Sequence, residues 1–153
     1  TKLLASALND EYFLLSGVTF GRGSGDVDHI VLGPSGAVVV ETKNWSGKIT
    51  CHGDHWQRQG GRYSGSPSRQ LKRNVATVKE AFTQSEALRA FHLPVEGVLV
   101  FANSHAELNL NKPTVPIVNL RDLPSFIMER RGTNPFGGKL LEKAGKELLK
   151  HSR

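Results

Sequence analysis

Three features of the sequence predict an α/β fold. Residues 27–32 and 37–42 are two largely apolar runs joined by Gly33-Pro34-Ser35-Gly36, which has the composition of a four-residue hairpin loop. Ser66-Pro67 then supplies the N-cap and first-turn residues of a helix in which Leu71, Val75, Val78 and Phe82 recur at steps of four and three. Residues 97–101 form a short apolar run that follows a helix, and they read as a buried strand parallel to a neighbour.

The remaining elements follow in chain order. Leu3, Leu4 and Leu8 have helical spacing, and Asn9-Asp10 stops that helix; residues 12–20 read as a strand. Residues 21–25 form a glycine-rich loop carrying Arg22, with mobile backbone N–H groups that suit a phosphate or simply connect two strands. Residues 44–63 suggest short antiparallel strands in which Trp45 and Trp56 alternate with Lys48, Arg58 and Arg62. Those tryptophans serve equally as base-stacking surfaces or as caps on the core. Residues 114–118 form a second short strand that Pro116 confines to a sheet edge. Asp122 can cap a helix running to about Arg130. Gly137-Gly138 precede a closing helix with Leu140, Leu141, Ala144 and Leu148 on its apolar side.

Hairpin register turns a loose set of charges into a candidate site. With Leu32 opposite Ala37, continued pairing sets Asp28 across from Glu41 and Asp26 across from Lys43, with opposed Cβ atoms roughly 4.5–5.5 Å apart. Glu41 and Lys43 are two residues apart and so project from one face. Hard oxygen ligands suit Mg²⁺ or Mn²⁺, and one or two carboxylates are enough for Mg²⁺ when waters and phosphate oxygens complete the shell. A lysine beside such an ion can orient the attacking water and offset charge growing on a scissile phosphate. Asp28, Glu41 and Lys43 therefore point to metal-dependent phosphodiester hydrolysis, with Asp28 and Glu41 as metal ligands. On the long helix, Gln70 and Asn74 are one turn apart and can aim two amides at the same place, or cap a neighbouring loop. Arg69 and Arg73 add positive charge on another face.

Composition bounds the rest. A chain of 153 residues fits one domain, residues 1–153, with one core and no need of disulfides. The 20 lysines and arginines exceed 14 acidic residues, giving net charge +6, which is compatible with a polyanionic partner such as DNA. Cys51 is the only cysteine, so an intramolecular disulfide is excluded and a reducing, cytoplasmic setting is expected. No apolar stretch approaches the roughly 20 residues of a membrane span, and no membrane partner is expected. Cys51, His52 and His55 lack a second ligand pair for a structural zinc site. His29 falls on the sheet face opposite Asp28. His92, His105 and His151 have no triad context. The chain opens at Thr1 in helical pattern, so a piece of a longer protein with flanking domains is expected.

Taken together, Gly25 through Leu32, the turn 33–36, Val38-Val39-Val40-Glu41-Thr42-Lys43-Asn44-Trp45-Ser46-Gly47-Lys48-Ile49 and Pro67-Ser68-Arg69-Gln70-Leu71-Lys72-Arg73-Asn74 resemble the nuclease-related domain, or NERD, family. The resemblance runs from about Leu3 to the helix after Asp122. It implies a PD-(D/E)xK, restriction-endonuclease-like core, a mixed central β-sheet flanked by helices. It further implies that Asp28, Glu41 and Lys43 are the catalytic set, with Gln70 the glutamine of the following helix. The implied activity is Mg²⁺- or Mn²⁺-dependent endonucleolytic cleavage of DNA, with Arg22, Lys48, Arg69, Arg73 and Asn74 as expected nucleic-acid contacts. The alternative is a weakly active or inactive DNA-binding module that targets a larger DNA-processing protein. One departure is visible: the Gly-Glu pattern that typically opens the family's first helix does not precede Leu3.

Overall fold

The structure, a computed structural model, describes residues 12–19, 27–33, 36–89, 93–129 and 138–150. The N-terminal helix expected around Leu3, Leu4 and Leu8, the loop with Arg22, and Asp26 lie outside the described residues.

Five strands build the main sheet: β1 (Phe13–Val18), β2 (Val27–Gly33), β3 (Gly36–Lys43), β6 (Val95–Phe101) and β8 (Ile117–Asn119), in the order β1-β2-β3-β6-β8. The pairs β1–β2 and β2–β3 are antiparallel, whereas β3–β6 and β6–β8 are parallel, so the sheet is mixed. A second sheet has three strands in the order β5-β4-β7, from β4 (Gly47–His52), β5 (His55–Arg58) and β7 (Ala106–Asn111). Helix α1 (Pro67–Gln84) and the short α2 (Glu86–Arg89) connect β5 to β6, and α3 (Leu123–Met128) and α4 (Gly138–Lys150) follow β8. Among the described residues no helix is long and apolar enough to cross a membrane.

The hairpin keeps its expected register, with Leu32 opposite Ala37, but pairing continues one step further, to Gly33 and Gly36. The unpaired connection is thus shorter than the four residues expected. Glycine is required at Gly36, where φ is +122° and a Cβ would strike the Pro94 carbonyl. That carbonyl accepts the Ala37 N–H at 2.8 Å and ties the turn to the start of β6.

The sheet divides the interior into two clusters where one core was expected, because β2, β3 and β6 bury both of their faces. Ile30, Leu32, Ala37, Val39, Leu99 and Phe101 share one face with Leu71, Val78 and Phe82 of α1. Val31, Val38, Val40, Val98 and Val100 share the other with Leu123 and Ile127 of α3. By the two-residue alternation of strands, Asp28, Glu41 and Lys43 belong to the α1 face. α1 begins as its sequence predicts: Ser66 is the N-cap, its Oγ accepting the Arg69 N–H at 3.3 Å, and Pro67 follows at N1.

Gly97 allows α1 to lie close on β6. A Cβ there would come within 2.7 Å of Val75 Cγ2 and 2.9 Å of Leu71 Cδ1. Gly97→Ala is therefore expected to cost about 1–3 kcal/mol through overpacking. Thermal denaturation of the variant measures this, and an unchanged midpoint would mean that α1 does not approach so closely.

Three expectations are corrected. Residues 44–63 do contain an antiparallel pair, β4 with β5, but β4 also pairs in parallel with β7, a strand not anticipated. The strand expected at 114–118 forms at Ile117–Asn119, beyond Pro116; it does lie at the sheet edge, and the Pro116 carbonyl accepts the Leu99 N–H at 3.0 Å. Asp122 occupies the N-cap position of α3 without a side-chain capping bond. The end expected for this helix, near Arg130, lies outside the described residues. In α4, Ala144 and Leu148 are buried as expected.

Candidate functional site

Glu41 stands at the centre of the site. It closes the apolar run of β3 and is 2% exposed, the one buried charged residue among those described. Lys43, next on the same face, brings its Nζ to 3.4 Å from Glu41 Oε1. Asn74 of α1, also 2% exposed, donates from Nδ2 to Glu41 Oε2 at 3.4 Å. Gln70, one turn earlier, accepts from Lys43 Nζ at 2.9 Å. The two amides of α1 thus divide between the two charges of β3, one holding the carboxylate and the other the ammonium. Burial raises the proton affinity of Glu41, and the negative charge of Asp28 raises it further; attraction to Lys43 opposes both.

Asp28 joins this group by a route that differs from simple pairing. The β2–β3 ladder stops at His29 and Val40, one pair short of Asp28 and Glu41. Instead Asp28 Oδ2 accepts the Thr42 backbone N–H at 2.8 Å. The carboxylate takes the place of a ladder acceptor and fixes Asp28 to the strand that carries Glu41. His29 faces the other way, accepting from or donating to Ser16 Oγ through Nδ1 at 3.0 Å, and burial lowers its pKa.

The donor set fits a hard divalent cation. Two carboxylates share one face, and burial first and the negative charge of Asp28 second disfavour the charged form of Glu41, so a small cation beside them would offset both. The long contacts to Glu41, both 3.4 Å, leave room for stronger ligation. Among the described residues no group of three or more His, Cys, Asp or Glu side chains is placed to hold a metal. Cys51 is buried with its thiol donating to the Gly53 carbonyl, and His52 Nδ1 lies 3.3 Å from Asn111 Nδ2.

The expected nucleic-acid contacts separate. Arg69 and Arg73 stand exposed on α1, one turn apart and beside the row of Gln70 and Asn74. Lys48 is exposed, but on the face of β4 opposite buried Ile49 and Cys51. Asn74 differs from the phosphate-contact expectation, since burial turns its amide onto Glu41 and away from solvent. Arg22 lies outside the described residues. Of the two tryptophans, Trp56 is fully buried, stacked on Phe101 at 5.6 Å, and belongs to the core. Trp45 is half-buried, edge-on to Phe101, and carries the Arg58 guanidinium 4.9 Å from its ring centroid.

Sequence reasoning missed Asp54. In the turn between β4 and β5, its Oδ1 accepts from Ser68 Oγ and Thr114 Oγ1, both at 2.6 Å, and Lys72 Nζ reaches both oxygens at 3.0–3.1 Å. The bonds from Ser68, Thr114 and Lys72 hold its carboxyl well below the usual range. Ser68 Oγ in turn accepts from Trp56 Nε1 at 3.0 Å, and Ser66 Oγ donates to the Asp54 carbonyl at 2.6 Å. The first turn of α1, two residues before Gln70, is thereby locked to the second sheet. Gly53-Asp54 as a turn and the Ser66-x-Ser68 spacing were the available signals.

The family model of the nuclease-related domain, NERD, matches residues 1–102, a span that includes Asp28, Glu41, Lys43, Gln70 and Asn74. No curated protein and no solved structure matches the chain.

Proposed function

The chain belongs to the nuclease-related domain family, and from that membership we propose that it hydrolyses phosphodiester bonds of DNA at the site formed by Asp28, Glu41 and Lys43. The observation that carries this reading is the pairing of buried Glu41 with partly exposed Lys43, each partner held by its own amide from α1. A merely structural ion pair gains nothing from a second carboxylate on the same face, yet Asp28 is fixed there through Thr42.

Asp28 and Glu41 would hold a Mg²⁺ or Mn²⁺ ion. When bound, such an ion supplies Lewis acidity at a phosphate oxygen and a more acidic water. The residues of the chain do the positioning. Gln70 accepts from the Lys43 ammonium and so restricts where its remaining protons point. Lys43 directs one of them toward the attacking water or a nonbridging phosphate oxygen, where negative charge develops. Asn74 restrains Glu41 against rotation away from the site. Arg69 and Arg73 attract the polyanion from the exposed side of α1, independently of its sequence.

Plasmid and linear DNA incubated with Mn²⁺, with Mg²⁺ and with excess chelator test this reading. Cleavage is expected with either ion and absent with chelator; linear DNA alone cut only from its ends would argue for an exonuclease. DNA left intact in every condition, while still bound in a salt-dependent manner, would overturn hydrolysis in favour of a targeting module.

A further inference from the structure

Arg58 is the least accounted-for charge beside the site. It ends β5 on the strand face that also carries buried Trp56, and it is itself half-buried. Its Nε is shielded from solvent and has no hydrogen-bond partner. No carboxylate among the described residues forms an ion pair with it, whereas Lys43 and Lys72 each have one. Its guanidinium is instead held over Trp45, with Cζ 4.9 Å from the ring centroid. Lys43 Nζ lies 6.0 Å from that same centroid, so both cations approach one aromatic ring.

Holding an arginine this way has a cost at Nε that no hydrogen bond offsets. A buried N–H without an acceptor loses its water for nothing, and stacking on tryptophan leaves that N–H unpaired. A guanidinium ordered by an aromatic ring, short of acceptors and sharing that ring with a second cation, is preorganised for an anion with several oxygens. The anion that reaches this place in the proposed reaction is the backbone of the strand being cut.

We propose that Arg58, steadied by Trp45, binds a backbone phosphate of the nucleic acid next to the scissile one, fixing the strand relative to Lys43. The proposal rests on the nuclease reading for the identity of the anion. Trp45 acts as a positioning residue, since it orders Arg58 and does not itself need to touch the substrate. Lys43 meets the reacting phosphate, and Arg58 meets its neighbour.

Binding of a fluorescent DNA duplex to the full chain, without divalent metal and over a range of salt, separates this role from a structural one. Arg58→Gln keeps a polar, planar end group but loses the charge and part of the length. It is expected to weaken binding about tenfold at low salt and to lower the slope of log Kd against log salt by about one. Arg58→Lys is expected to keep the slope and lose part of the affinity, because the charge remains but the planar stacking does not. Circular dichroism and the melting midpoint show that each variant is folded. A slope unchanged in Arg58→Gln, or duplex binding absent in the wild type, overturns the proposal. Failure of hydrolysis is distinguishable, since it shows as intact DNA with Mn²⁺ while the salt slope still reports on Arg58.

Discussion

Lys43→Ala and Glu41→Gln are both expected to lower cleavage by about 10²–10⁴-fold, and to move stability in opposite directions. Removing Lys43 leaves a carboxylate that is 3% exposed with only the long amide contact from Asn74. Breaking such a pair costs about 1–3 kcal/mol once the partial exposure of the lysine is allowed for. Glu41→Gln removes the buried charge, and an amide carbonyl can still accept from Asn74. Lys43 keeps its bond to Gln70 and its access to solvent. The pH dependence gives the same contrast in finer form. Glu41 has a folded pKa raised above 4.5, so the folded state holds this proton more tightly than the unfolded chain does. Stability from this group is therefore complete below pH 4.5 and is lost as pH rises through the folded value. Glu41→Gln should flatten that decline, raising the melting midpoint at pH 8 by roughly 2–4 °C. Lys43→Ala should steepen it and extend it upward, since the lysine is what opposes the upward shift. Melting curves of the three proteins across pH 4–9 decide the matter; superimposable pH profiles would mean that Glu41 does not carry a buried charge.

The part of this site carried by short-range pairing was legible in the sequence. A short loop fixes the register of β2 and β3, and register plus alternation places Asp28, Glu41 and Lys43 on one face without knowledge of the rest of the fold. What alternation cannot reveal is where a ladder ends. Continued pairing set Asp28 opposite Glu41, but the carboxylate of Asp28 outcompetes the next rung and takes the Thr42 N–H itself. Helical spacing likewise put Gln70 and Asn74 on one row of α1, but their depth depends on how closely α1 approaches the sheet. Gly97 sets that distance from a strand more than twenty residues later in the chain, and it leaves Gln70 partly exposed while burying Asn74.

β7 was illegible for a different reason. Ala106, Leu108 and Leu110 alternate with Glu107, Asn109 and Asn111, a strand pattern, but Asn and Glu are poor strand formers and Leu108 remains 38% exposed. Its stability comes from pairing with β4, more than fifty residues earlier. Trp56 shows the same dependence. Nothing local distinguishes it from Trp45, and its burial is made possible by Ser68 offering an acceptor to its indole N–H. Long-range hydrogen bonding decided both outcomes.

That dependence makes Asp54 an anchor between α1 and the second sheet. Asp54→Ala is expected to cost about 2–3 kcal/mol, because the hydroxyls of Ser68 and Thr114 both lose a charged acceptor. Lys72, nearly half exposed, adds little to this sum. The melting midpoint should fall by roughly 5–10 °C. Asp54 has a folded pKa depressed from 3.8, so its contribution is present above that value and is lost as pH falls below it. Wild type and variant should therefore differ fully near neutral pH and draw together as pH falls below 3.8; a gap undiminished at pH 2 would assign the cost to packing instead. Cleavage should weaken as well, though less than in Lys43→Ala. Ser66 would still bond the Asp54 backbone carbonyl, so the helix start would remain anchored, but Ser68 would be released two residues before Gln70. Gln70 accepts from the Lys43 ammonium, so freedom at the helix start would reach the proposed catalytic lysine through one hydrogen bond. Asp54→Asn, which keeps an acceptor for Ser68 and Thr114, should recover more of the activity than of the stability near neutral pH.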